Sequence, residues 1–466
     1  MRQILSKRSF VLTVFSFALA RVSYCSVENV RVVYPNIPAI AKYFGTKGRY
    51  EEVNPYLLDD ILAVNKTFMK PPSLECKPIY LTAIIRHGTR YPTTKNIKNI
   101  QRVYDLVSRE ATNGEKWLHD IKTEWKMWYT EDMDGQIVEK GRDDHRHLAV
   151  RLATLLPSLI SEENLRSNRI KFITSSKHRC VDSTIAFKEG LMNLWNVKDV
   201  DFSHEVNDML MRFFDQCRRF VEDVENNKTA LKEVDLFKSS AEMKRVQIKM
   251  ANRLQLPYSQ VTQGLVEAAF YLCSYEFSIK SVNSPWCNLF DETDAKVLEY
   301  ANDLKQYWKR GYGHDINRKS SCTLFHDVFR RLNRAAHEIR FGHVTEAVTV
   351  QVGHAETLLP LLSLMGFFKD ETPLTAHNYA SQQNRTFRSS HIVPYAANLV
   401  FVLYDCEDGL RLQFLLNERP LTFPNTSHLA PLYETIREQY KDLLEGCNFE
   451  KECEVPRASC SKCSEL

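Results

Sequence analysis

Three short apolar runs, rich in β-branched side chains and each closing on a cluster of charge, constrain this chain more than any other feature. They are Ile79–Ile85, Ile170–Thr174 and Ala347–Val352. The first and third are nearly continuous in apolar character, as strands are when helices cover both faces of a parallel sheet. Two further runs, Leu399–Tyr404 and Leu410–Leu416, flank Glu407-Asp408-Gly409, a turn signal that predicts a hairpin added to the sheet. Between the second and third runs, residues 188–341 carry helical character with charged faces and few β-branched stretches. A crossover between two strands of one sheet needs only about a dozen residues, so the excess reads as an inserted domain. The expected fold is α/β, a mainly parallel central sheet flanked by helices, with an inserted α-helical cap domain. Residues 26–187 and 342–446 form its discontinuous α/β part.

Each of the first three runs ends in residues able to do chemistry. They are Arg86-His87-Gly88-Thr89-Arg90-Tyr91-Pro92, Ser175-Ser176-Lys177-His178-Arg179 and Gly353-His354-Ala355-Glu356. Ligands of open α/β sheets bind beyond the carboxyl ends of the strands, so the three clusters are expected around one pocket. Phosphoryl transfer through a histidine needs such a set. Guanidinium groups bind the equatorial phosphate oxygens, and nearby cations keep an imidazole neutral and nucleophilic. A carboxylic acid then protonates the leaving alkoxide. Gly88 is expected to let the backbone pass close to the phosphate. Taken singly, His354 reads as a hydrogen-bonded core histidine and Glu356 as a helix-start acid; the convergence of three clusters favours catalysis. Lys95, Lys98 and Arg102, just past the first cluster, and Lys177 read either as contacts to further phosphates or as solvated polarity.

The segment Arg86–Pro92 resembles the signature of the histidine acid phosphatases, the branch of the histidine phosphatase superfamily that includes phytases. Ser175–Thr184, His354–Pro360 and Ala295–Tyr300 are similar to the multiple inositol polyphosphate phosphatases, a resemblance running from about residue 50 to 445. It implies that His87 becomes phosphohistidine, that Arg86, Arg90 and Arg179 bind the transferring phosphate with His354 as a fourth donor, and that Thr89 contacts substrate. In most of the wider family a His-Asp pair supplies the proton donor; here Ala355 follows His354 and the carboxylate is Glu356. The implied substrates are inositol hexakisphosphate and lower inositol phosphates, with 2,3-bisphosphoglycerate by analogy, and no metal or organic cofactor is called for. A broad-specificity acid phosphatase and a catalytically silent phosphate-binding glycoprotein are the alternatives.

The net charge of +4 is small for 466 residues and marks no nucleic-acid binder. Arg2, Lys7 and Arg8 precede an apolar stretch from Phe10 to Ala20, so residues 1–25 read as a signal peptide, cleaved after Ala20 or Cys25. No segment is long enough to span a membrane in the mature chain. The 12 cysteines and the sequons at Asn65, Asn227, Asn384 and Asn425 fit a glycoprotein of the secretory pathway, either in the endoplasmic reticulum lumen or secreted. Residues 447–466 form a Cys-rich tail. In it Cys460-x-x-Cys463 reads as disulfide staples rather than a zinc knuckle, because a second ligand pair at metal spacing is missing. The terminal Glu465-Leu466 matches half of a retrieval signal.

Overall fold

The computed structural model describes residues 37–66, 71–199 and 202–455. The expected signal peptide, with Cys25, and the Cys460-x-x-Cys463 pair lie outside them. Strands β1 (Lys77–Arg86), β2 (Ile170–Thr174), β3 (Glu205–Val206), β4 (Val348–Gly353), β5 (Asn398–Cys406), β6 (Gly409–Leu416) and β7 (Arg419–Leu421) form one sheet in the order β3-β2-β4-β1-β5-β6-β7. The ladders from β3 to β1 are parallel, and those from β1 to β7 are antiparallel. The parallel half carries the three charged strand ends, and the predicted hairpin joins at β1 as the antiparallel half. Glu407 and Asp408 form its loop, closed by the Cys406–Gly409 pair, with Gly409 at φ 118°, a conformation that favours glycine.

Alternation explains why the strands read as continuous apolar runs. Tyr80 and Ile84 of β1 enter a large apolar cluster shared with the cap helices, such as Gln263–Lys280. Leu81, Ala83 and Ile85 enter a second cluster with Leu148, Leu152, Phe187 and Leu191. These last four come from the paired helices Glu139–Leu155 and His178–Leu194. Strand β5 divides in the same way: Leu399, Phe401 and Leu403 face the first cluster, Val400, Val402 and Tyr404 the second. A sheet covered on both faces has no polar side to write into its sequence.

The chain crosses residue 188 inside the helix His178–Leu194, and β3 then adds an edge strand. The sheet therefore takes in residues up to Val206 before the long helical stretch. Its helices are tied to the end of the chain by two disulfides, Cys217–Cys453 and Cys322–Cys447, while Cys273–Cys287 closes a short loop and Cys76–Cys406 joins the start of β1 to the end of β5. The first residues of the Cys-rich tail thus belong to the folded body. Cross-links over such long separations stabilise mainly by restricting the unfolded chain, about 2–5 kcal/mol each.

Candidate active site

Register brings the three clusters together. Arg86 pairs with Gly353 across β1 and β4, and Thr174 pairs with Val352 across β2 and β4. Three adjacent strands therefore end level. From β1 and β2 the chain moves on toward the β3 edge, whereas from β4, between them, it moves toward β5 on the other side, and connections that diverge in this way open a crevice at the strand ends.

The loop after β1 is held from all sides by backbone bonds. His87 N–H donates to Gly353 O at 3.0 Å, and Ala396 N–H to His87 O at 3.2 Å. The Gly88 N–H donates to Ser183 Oγ at 3.1 Å, on the helix His178–Leu194. His87 Nδ1 lies 2.9 Å from Gly88 O. A carbonyl only accepts, so Nδ1 carries the proton and the Nε2 lone pair is left to act as nucleophile. Burial, then Arg179, Arg86, His354 and Arg90, push the His87 pKa well below the ordinary histidine value. The imidazole stays neutral into acid.

Arg86, Arg90 and Arg179 crowd the same ring. Arg86 Nη1 donates to Thr46 O at 2.7 Å and Val393 O at 2.6 Å, and Arg90 Nη1 donates to Tyr91 O at 2.7 Å. The Nε atoms of all three arginines are buried without a hydrogen-bond partner. Buried donors of one sign, gathered at a strand-end crevice, are an anion site.

His354 precedes the helix Ala355–Leu364 as its N-cap, with its backbone N–H bonded to Thr357 Oγ1 at 2.9 Å. Its ring stands 5.6 Å from that of His87, at 69°. Arg179 Nη2 reaches His354 Nδ1 at 3.5 Å, while Nε2 lies 3.0 Å from Ser175 Oγ. Burial and then Arg179 lower the His354 pKa to about 3. Glu356 sits in the first turn of that helix. Burial alone would raise its carboxyl, but Arg310, His354 and its own backbone N–H outweigh burial and hold it at about 2.

Other expected contacts fall elsewhere. Thr89 is fully buried, and its hydroxyl donates to Asp144 at 2.9 Å, on the helix Glu139–Leu155. It supports the loop from behind and does not face the crevice. Gly88 serves the same contact: a Cβ there would meet Gly141 O, not a phosphate. Lys98 points to solvent and pairs with Glu131 at 3.4 Å. Arg102 and Lys177 are exposed, and Lys177 is the N-cap of the helix His178–Leu194. Lys95 is also exposed, but it lies close enough to Lys305 to act on its charge.

Several residues at the site were not legible as site residues in the sequence. Lys47, in the short turn Gly45–Lys47, stacks 3.7 Å from the ring centroid of Tyr271. Burial, then Lys305, Arg90 and Arg86, drive its ammonium pKa well below the usual lysine value. Lys305, on the helix Glu292–Arg310, reaches solvent yet loses hydration to the protein around it, and Lys309 adds repulsion; its pKa is lowered too. Arg310 ends the same helix, with Nη1 buried and unpartnered and its guanidinium 5.1 Å from the Phe214 ring. His145 Nε2 donates to Arg86 O at 3.0 Å, and Tyr395 packs against both Arg86 and His87. None lies in a charged strand-end motif, the one signal the sequence offered.

Residues 79–417 match the model of the histidine phosphatase superfamily, branch 2. The chain is 47% identical to multiple inositol polyphosphate phosphatase 1 of Homo sapiens over 95% of both chains. It is 47% identical to that of Gallus gallus over 91% of this chain and 95% of the other. Among solved structures, the D. castellii phytase superposes with a TM-score of 0.72 at 18% identity, covering 90% of this chain and 89% of that one. The Bifidobacterium longum multiple inositol polyphosphate phosphatase in complex with inositol hexasulfate superposes at 0.68 and 14% identity, covering 87% and 98%. The chain is a histidine-type phosphatase and belongs to branch 2 of the histidine phosphatase superfamily.

Proposed function

We propose that this enzyme removes phosphate from inositol polyphosphates, including inositol hexakisphosphate, through a phosphohistidine on His87. The observation that carries the proposal is the buried, unpartnered Nε–H of Arg86, Arg90 and Arg179 around a neutral His87. The near-full-length likeness to enzymes named for inositol polyphosphates supports the substrate class. So does the mutual repulsion of Lys47, Lys305 and Lys95 beside Arg86 and Arg90, which further phosphates of the substrate would relieve, since a six-phosphate substrate has several groups left over when one reacts.

In the first step, His87 Nε2 attacks phosphorus while the guanidiniums take up the charge on the equatorial oxygens, and Glu356 gives a proton to the departing alkoxide. With a pKa near 2, Glu356 meets the substrate as a carboxylate. A phosphomonoester adds close to two negative charges beside it, which raises the carboxyl pKa and lets it collect a proton. Water then attacks the phosphohistidine with Glu356 as base. The same anion favours protonated His354, whose Nδ1 can then donate to phosphate in place of accepting from Arg179. Thr89 and Lys98 have no part in binding here.

Four disulfides and the exposed sequons Asn227, Asn384 and Asn425 support a place in the secretory pathway, in the endoplasmic reticulum lumen or outside the cell. Asn65 is half-buried. No described helix is long and apolar enough to cross a membrane. The test of the central proposal is a product time course on inositol hexakisphosphate, with acid-quench trapping of labelled enzyme from wild type and His87→Ala. Successive loss of phosphates and label in wild type alone are expected; label on His87→Ala would refute the nucleophile.

A further inference from the structure

Tyr395 enters the site from the turn that leads into β5, on a backbone held in place at some cost. Its N–H donates to Gly48 O at 3.0 Å, and the next residue, Ala396, sits in the left-handed region at φ 57° while bonding His87 O. A non-glycine residue adopts that conformation only where its surroundings enforce it. The ring is fully buried. Arg86 Cζ stands 4.5 Å from its centroid, and the His87 ring lies 6.1 Å away. Phenylalanine would serve that packing equally well. The hydroxyl, however, is buried with no hydrogen-bond partner, and the charges acting on it are those of Arg90, Arg86 and Arg179, with Tyr275 beside them. Guanidinium groups offer only donors. An O–H among them lacks an acceptor, and a buried hydroxyl left unsatisfied is costly.

We infer that Tyr395 is a further catalytic residue, whose hydroxyl donates a hydrogen bond to the phosphoryl group as it passes to His87 and then to water. The phosphoryl oxygens supply the missing acceptor. Burial raises the phenol pKa to about 12, against the pull of Arg90, so the proton is present in acid and at neutral pH alike. No bond to Tyr395 forms or breaks, and its proton stays on the phenol throughout. A neutral donor adds stabilisation for charge developing on oxygen without adding a fourth fixed cation beside the neutral nucleophile. The inference rests on the reading of this crevice as the phosphoryl-transfer site.

Tyr395→Phe removes the hydroxyl and keeps the ring. Its kcat/KM should fall by the same factor, roughly 10- to 100-fold, on inositol hexakisphosphate and on p-nitrophenyl phosphate. Inhibition by inorganic phosphate should weaken, and inorganic phosphate should raise the Tm of the variant less than that of wild type. The intrinsic Tm should hold or rise, because the ring contacts remain and a buried hydroxyl without a partner is removed. Activity within twofold of wild type overturns the inference. A loss confined to inositol hexakisphosphate also overturns it, since the hydroxyl would then meet a distant phosphate. A lowered Tm with unchanged phosphate inhibition would make the hydroxyl structural, and overturn it likewise. Wild-type enzyme that hydrolyses p-nitrophenyl phosphate and leaves inositol hexakisphosphate intact would sink the substrate proposal alone, and this comparison would still stand.

Discussion

A side chain on Gly88 would place its Cβ 2.1 Å from the carbonyl oxygen of Gly141, and one on Gly141 would fall 2.1 Å from that of Thr89. The loop that carries His87 and the helix Glu139–Leu155 therefore touch backbone to backbone. Thr89 bonds Asp144 on that helix, and Lys140 in turn bridges Asp144 and Glu51. Gly141→Ala should force the two apart. It is expected to cost about 1–3 kcal/mol of stability and to lower kcat on every substrate by moving His87. Urea unfolding and kcat measured together check this; wild-type values of both would show that the contact relaxes freely.

Proton donation separates Glu356 from the nucleophile. An inositol alkoxide needs a proton to leave, whereas p-nitrophenolate does not. Glu356→Gln should cut kcat on inositol hexakisphosphate by on the order of 10²–10⁴. Its burst of p-nitrophenol should survive while phosphoenzyme accumulates. If the burst slows as much as inositol phosphate turnover, another residue is the donor.

The lysines divide by position. Lys98 is paired with Glu131 in solvent, so Lys98→Glu should leave KM for inositol hexakisphosphate within about twofold. Lys47→Met keeps most of the stacked stem and removes the charge. It should raise KM for inositol hexakisphosphate at least about tenfold, with a smaller effect on p-nitrophenyl phosphate. Equal effects on the two substrates would tie Lys47 to the reacting phosphate instead.

His145 links stability to pH. Burial holds its pKa at about 4, partly offset by the bond to Arg86 O, and its Nδ1 has no hydrogen-bond partner. The unfolded chain takes up this proton below about pH 6.5, but the folded protein does so only near pH 4. Stability from this site is therefore full above pH 6.5 and falls as the pH drops towards 4, by about 3 kcal/mol in all. Denaturant unfolding of wild type and His145→Gln between pH 7 and pH 4 should give curves that converge in acid. Parallel curves would mean that His145 does not titrate on unfolding.

The strands and the charged loop around His87 could be read from sequence because their signals are local. Ile79–Ile85 lies within β1 and Ala347–Val352 overlaps β4, since burial on both faces leaves a continuous apolar run. Arg86, His87, Arg90, Arg179, His354 and Glu356 all stand where strands end, and strand ends are visible in one dimension. Residue 188, where the sequence suggests a boundary, lies inside the helix His178–Leu194, which continues through it with no break in pattern.

What sequence alone determined was thus the chemistry at the strand ends: a histidine among arginines, and a carboxylate two residues past a second histidine. Tertiary structure decided which groups point at it. Lys47, Lys305, Arg310 and Tyr395 come from a short turn, the last two turns of the helix Glu292–Arg310 and the approach to β5, three segments far apart in the chain and each unremarkable in its own neighbourhood. Thr89 and Gly88, inside the motif itself, turn away to serve the helix behind. The side on which a residue faces a ligand depends on what packs against its other side, and that contact is made by a segment the local sequence does not contain.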